Sequence, residues 1–347
     1  MKKTITKIRI AALIAATGAA LIGSGCGTKQ SGANGSANTD SGVLRVGFIS
    51  PNGAPPAGPE GWLYRKEKII PELSAAGIKS VKFTAFPNGP DLNEAMAGKA
   101  IDIGMVGDTP GIVAHAAGLT TRVINQGSIK TNAWLIARAD GPNSIDELKG
   151  KTVATAKGSY MARYLLGLLA EKGLSKDVKF VHLLPPDSEA ALRRGDIAAY
   201  ASPLGPILKS HGFKVIDEAR FHPGLTGSGV TVVTQDYLTS HPGFPAVWNK
   251  MRADGIAEIK SHQDEYYQTE AKDLRIPTSV YKEIYSVEHY DPAPLTAEGL
   301  ALLSGTKDFL VQQHLAKQDF KVADWIVPDQ APGAKTAALP QAASSPK

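Results

Sequence analysis

The chain has 347 residues, a net charge of +5 at pH 7 and a single cysteine, Cys26. One cysteine excludes an internal disulfide framework. Lys2, Lys3, Lys7 and Arg9 account for all but about one of the net positive charges, so the rest of the chain lacks the basic footprint of a nucleic-acid binder.

The basic start is followed by an apolar, Ala-rich run over 10–22, shorter than the roughly 20 residues that span a bilayer. The run leads into LIGSGC, which ends at Cys26. We read 1–25 as a lipoprotein signal whose removal leaves Cys26 as a lipid-bearing N-terminus. Gly23 stands where such signals carry a large aliphatic residue, and the other reading is an ordinary secretory signal with an incidental cysteine. Either reading exports the chain. Residues 26–42 are small and polar, as a flexible tether is. Residues 328–347 have a similar composition and are expected to be a disordered tail.

Between these ends, short apolar runs alternate with helical patterns. Strands are expected over 43–49, 80–86, 101–107, 121–127 and 133–139, then 151–157, 178–184, 197–201, 213–217 and 229–235. The runs are β-branched and several lack alternation, which suits strands buried on both faces of a mainly parallel sheet. Pro90 opens one helix, with Asp91 and Glu94 at capping-box spacing. Thr109 is expected to cap the next, with Pro110 in its first position and Gly118 at its end. Ser159 opens a third, in which Met161, Tyr164, Leu165, Leu168 and Leu169 repeat at helical spacing. From about Gln235 the chain turns helical and more charged.

Strand–helix–strand order implies an α/β fold, whose ligands sit beyond the carboxyl ends of the strands. Four loops occupy such places: ISPNG (49–53), FPNGP (86–90), GMVGDTP (104–110) and AKGSY (156–160). They are rich in Gly, Ser, Asn, Thr and Pro and poor in nucleophiles and bases. Their main resource is the backbone N–H, and helix starts at Thr109 and Ser159 would offer unpaired donors to an anion. The competing explanation of each is ordinary capping. Arg163 lies in the first turn after Ser159, where a cation opposes the helix dipole, and a bound anion would offset that cost. Asp108 can accept from a ligand or hold its own turn.

Catalytic patterns fail on inspection. LKGKT (148–152) has Ile145 where a phosphate loop needs glycine, and TGSGV (226–230) lacks the first glycine of a nucleophile elbow. The eight histidines show no ligand spacing. No enzyme, metal or cofactor is expected.

The run FPNGPDLNEAMAGKAIDIGMVGDTPGIVAHAAGL (86–119) resembles the solute-binding proteins of ABC importers for aliphatic sulfonates, taurine and nitrate. The likeness continues in SIDELKGKTVATAKGSYMARYLLGLLAEKGL (144–174) and LLPPDSEAALRRGDIAAY (183–200). It implies a two-lobed type II periplasmic-binding fold with a ligand cleft between the lobes: lobe one over 43–132 and 224–327, lobe two over 133–223. It also implies a site drawn from Ser50, Asn52, Gly53, Asn88, Gly107, Asp108 and Thr109 in lobe one. Gly158, Ser159, Arg163, Tyr200 and Ser202 would come from lobe two, with Gly227 and Ser228 near the return crossing. The implied function is capture of a small organic anion, an aliphatic sulfonate first, by a membrane-anchored monomer that delivers it to an ABC permease with its ATPase. Nitrate, a phosphonate or a thiamine-precursor pyrimidine are alternative ligands, and an enzyme or a ligand sensor on the same scaffold are alternative roles. The chain departs from its relatives at AAYASPLGP (198–206), where Ala198 and Leu204 replace a Trp-bearing acidic phrase and no acid follows until Asp217. That weighs against an aminosulfonate. The first loop, 50–62, is also long and Pro-rich.

Overall fold

Two five-stranded sheets organise the computed structural model, which describes residues 42–185 and 187–334. The leader, Cys26, the tether as far as residue 41, and residues 335–347 lie outside the described residues. The strands are β1 (Val43–Ile49), β2 (Ser80–Phe86), β3 (Ile103–Gly107), β4 (Thr121–Thr131) and β5 (Trp134–Ala137). They continue as β6 (Thr152–Thr155), β7 (Lys179–His182), β8 (Ala199–Ser202), β9 (Lys214–Glu218) and β10 (Gly227–Thr234). The first sheet has the order β2-β1-β3-β10-β4 and the second β7-β6-β8-β5-β9.

Within each sheet three strands run parallel. Val46 of β1 pairs with Phe83 of β2 and Ile103 of β3, and Val153 of β6 pairs with Phe180 of β7 and Ala199 of β8. The helices that follow parallel strands are α1 (Gly58–Arg65), α2 (Ile69–Leu73), α3 (Gly89–Ala97), α4 (Asp108–Ala116), α5 (Tyr160–Glu171), α6 (Asp187–Arg194) and α7 (Gly205–Ser210). After β10 the chain is helical as expected: α8 (Gln235–Ser240), α9 (Phe244–Ser261), α10 (Gln263–Leu274), α11 (Thr278–Ile284), α12 (Ala297–Gln312) and α13 (Val322–Trp325).

Each sheet has its own core. Leu44, Val46, Ile103 and Trp248 pack on one face of the first sheet, and Ile112, Val230, Leu303 and Trp325 on the other. The second core takes the apolar face of α5: Tyr164, Leu165, Leu168 and Leu169 lie against Val153 and Ala199. The chain passes between sheets twice, from Thr131 to Trp134 and from Glu218 to Gly227. The two passages are bonded to each other: Ala219 N–H donates to the Ala133 carbonyl at 2.8 Å, and Arg220 N–H to Asn132 Oδ1 at 3.0 Å.

Several expectations need correction. The run 101–107 becomes strand only from Ile103, because Asp102 is a turn residue whose carboxylate accepts the Arg45 backbone N–H at 3.0 Å and the Arg45 guanidinium. Leu225 belongs to the second core, so the return to the first sheet comes after it. The second stretch given to lobe one is not confined there: Ile284 at the end of α11 joins a cluster with Trp134, Ile136 and Leu208 of the second sheet. The first residues of the expected tail are ordered: Pro328–Gln330 form a helical turn, and Gln330 is buried with its Oε1 accepting from Asn249 at 2.7 Å. No helix among the described residues is long and apolar enough to cross a membrane.

Candidate functional site

The loops at the carboxyl ends of the parallel strands meet where α3 and α5 begin. Gly158 adopts φ +74°, and a Cβ there would lie 3.2 Å from Cγ of Pro90. The turn after β6 therefore touches the turn after β2. Ser159 caps α5 as expected: its Oγ accepts the Ala162 N–H at 3.2 Å and donates to the Ala156 carbonyl at 2.6 Å. The cap of α3 is Asn88, not Asp91. Its Oδ1 accepts the Asp91 N–H at 2.9 Å, and its Nδ2 donates to the Asp91 carboxylate at 3.0 Å.

The cap of α4 is Gly107, and Asp108 rather than Thr109 opens the helix. Asp108 is 1% exposed, and its carboxylate is saturated by protein donors. One oxygen accepts the Thr109 N–H and hydroxyl, and the other accepts the Ser228 N–H at 2.9 Å and hydroxyl at 3.1 Å. The second oxygen also receives Arg163 at 3.4 Å. Arg163 is itself fully buried. It donates to Thr109 Oγ1 at 3.3 Å and to the carbonyls of Gly224 and Thr226 at 2.5 and 2.6 Å. The anion that offsets this cation near the helix start is Asp108. One guanidinium thus joins α5, the start of α4 and the return passage.

Tyr160 completes this junction. Its hydroxyl donates to the Asn132 carbonyl at 3.0 Å in the outward passage, and burial raises its pKa well above the ordinary value. Its ring covers Gly227 so closely that a Cβ at 227 would fall inside the ring's contact distance.

The other expected site residues separate into two groups. Ser50, Asn52 and Gly53 form a turn that closes on itself. The Ser50 hydroxyl donates to the Ala54 carbonyl at 2.9 Å, and Asn52 and Gly53 are exposed. Tyr200 and Ser202 are buried in the second lobe, where Ser202 Oγ accepts the Leu204 N–H at 3.0 Å. The expected residues therefore form a junction that is buried but for the half-buried Gly107 (Gly107, Asp108, Thr109, Arg163, Gly227, Ser228), a rim (Asn88, Gly158, Ser159), an outlying turn and a buried pair.

Sequence reasoning missed the carbonyls of Gly224 and Thr226, which carry no side-chain signal. It also missed two buried acids. Glu60 in α1 lies 3.7 Å from Arg252 of α9, and Glu270 of α10 lies 3.4 Å from Arg65. Burial raises the Glu60 carboxyl, against the pull of Arg252, and pushes Glu270 up to about 7. An acid followed by helical periodicity gives no warning of such burial. A cavity of about 610 Å³, lined by Leu300, Lys307, Asp319 and Phe320, lies against α12, away from the strand ends. Among the described residues no three His, Cys, Asp or Glu side chains are grouped to hold a metal.

Known proteins resemble this chain in sequence and in fold. Residues 65–203 match the family described as "ABC transporter, phosphonate, periplasmic substrate-binding protein". The "Putative aliphatic sulfonates-binding protein" of Escherichia coli (strain K12) is 28% identical over 270 residues, 75% of this chain and 82% of that protein. The solved alkanesulfonate-binding protein SsuA from Xanthomonas axonopodis pv. citri, bound to MOPS, superposes with a TM-score of 0.70 at 22% identity, over 83% of this chain and 99% of that one. A cysteine-to-serine variant of DSZB in complex with biphenyl-2-sulfinic acid has a TM-score of 0.64 at 18% identity, over 83% of this chain and 97% of that one. At those identities the two structures speak for the fold alone: two lobes, each built on an α/β sheet. With the family match running through the first lobe into the second, and a curated relative aligned over three quarters of its length, this chain is similar to the periplasmic substrate-binding proteins of ABC transporters.

Proposed function

We propose that the protein captures a small organic anion, an aliphatic sulfonate first, between the turns that follow β2, β3 and β6, and delivers it to an ABC permease. The observation that carries the reading is the meeting of Gly158 with Pro90. A ligand seated where two caps from different sheets converge touches both lobes, and contacts to both favour the closed arrangement. Neutral hydroxyls and backbone N–H groups near two helix starts suit a sulfonate oxygen set. The lobes would comprise 43–132 with 224–327, and 133–223, hinged at the two passages. Lipidation at Cys26 would hold the protein outside the cytoplasm on the membrane as a monomer.

A thermal-shift screen of residues 42–334 against alkanesulfonates, taurine, nitrate, phosphonates and aminopyrimidines tests this. A native-state ligand at a hundredfold excess over Kd adds about 2.7 kcal/mol. A shift with the alkanesulfonate series is the expected result, and silence from all of them would remove the ligand assignment.

The fold neighbour DSZB is described as a desulfurization enzyme, and its sulfinate complex carries serine in place of a cysteine. That second reading finds no thiol in the body of this chain, whose sole cysteine is the first residue of the tether. Release of sulfite from an arylsulfinate by the pure protein would favour it.

A further inference from the structure

The segments that follow β1, β2, β3, β6, β7 and β8, with the first turns of their helices, carry few cations. Among the described residues they hold five carboxylates (Glu60, Asp91, Asp108, Asp187, Glu189) and two cations, Lys157 and Arg163. Lys157 is exposed, with its ammonium over the Phe180 ring at 5.9 Å. Arg163 is buried against Asp108 and two carbonyls. The seat between the lobes therefore has helix-start donors but no buried cation left uncompensated. Such a seat can satisfy one negative charge. A second charge on the same ligand would have to leave water with no buried cation free to pair with it, and an unpaired desolvated charge is costly.

Resting on the anion-binding reading above, we propose that Asp108 sets the charge selectivity of the cleft. By neutralising Arg163 it leaves the ligand to uncharged donors, so the protein accepts monoanions such as sulfonates and rejects dianions such as fully ionised phosphonates. Asp108 acts here through Arg163 and the local field, not by touching the ligand, because all its acceptor positions are filled by Thr109, Ser228 and Arg163.

The test is calorimetric titration with ethanesulfonate and ethylphosphonate, two tetrahedral anions of the same size, below and above the second ionisation of the phosphonate. The wild-type protein should bind ethanesulfonate equally at both pH values and lose about tenfold or more in phosphonate affinity as the second proton leaves. Asp108→Asn should raise the dianion's affinity relative to the sulfonate by about the same factor, and Arg163→Met should lower it further. The opposite signs leave a test standing if one variant fails to fold. Phosphonate affinity that holds or rises on ionisation overturns the selectivity while leaving the sulfonate reading intact. An equal loss for both ligands in the folded variant makes Asp108 merely structural. Binding of neither ligand to wild type removes the cleft reading and the selectivity with it.

Discussion

Arg163 sits in the first turn of α5, where the helix dipole disfavours a cation, yet it is among the most buried side chains of the protein. What makes the position tenable is the density of acceptors around it: Asp108, Thr109 and two carbonyls of the return passage. Removing one member of a buried pair leaves its partners desolvated and unpaired. Arg163→Met should therefore cost on the order of 3 kcal/mol. The measurement is urea denaturation, with a lower midpoint and an unchanged slope. Ser159→Leu removes a single cap and should cost about 1 kcal/mol. It also puts a branched side chain at the rim, so ligand-induced stabilisation should vanish while the fold remains. Undiminished stabilisation by ligand in that variant would detach Ser159 from the site. The candidate residues were legible one at a time, because caps and turns announce themselves locally. Which partner each would take was not: the spacing from Asp108 to Ser228, or from Arg163 to Thr226, has no local rule.

Elements meet at close quarters where the ring of Tyr160 in α5 lies on β10 at Gly227. Gly227→Ala should destabilise by about 1–3 kcal/mol, because backbone and ring would have to separate. Helix α10 presents a different case. Burial holds Glu270 near 7, so the native state keeps a proton that the unfolded carboxyl has already released at lower pH. This group's contribution to stability is present at low pH and is lost as pH rises from the ordinary carboxyl range to about 7. Glu270→Gln should flatten that decline and gain on the order of 2 kcal/mol above neutrality. Melting temperature against pH reads it, and an unchanged slope would mean that Arg65 keeps the carboxylate charged. Strand and helix order was readable from β-branched runs and caps. Boundaries moved where a side chain chose the turn, as Asp102 did with Arg45.

At the scale of the whole molecule, the two passages between sheets are bonded side by side, and Arg163 and Tyr160 of the second lobe are each tied to one of them. Such a pair of linking segments can bend together while the lobes stay intact. Addition of a bound sulfonate should shrink the radius of gyration in solution scattering if the lobes close on the ligand, and an unchanged curve would show a cleft already shut without it. Cys26→Ala should release the protein from the membrane fraction, and persistence there would refute lipidation.

By itself the sequence determined an α/β chain with strand-end loops built of caps and turns, and it carried a likeness to the solute-binding proteins of ABC importers. These features are local, since period, capping and turn chemistry act over a few residues and leave a legible trace. Only the tertiary structure decided that Asp108 and Arg163 neutralise each other, that Tyr200 and Ser202 face the core, and that α11 reaches the second lobe. Those outcomes depend on burial and on partners far apart in the chain. Whether a charge is free for a ligand or consumed within the fold is set by what surrounds it in space.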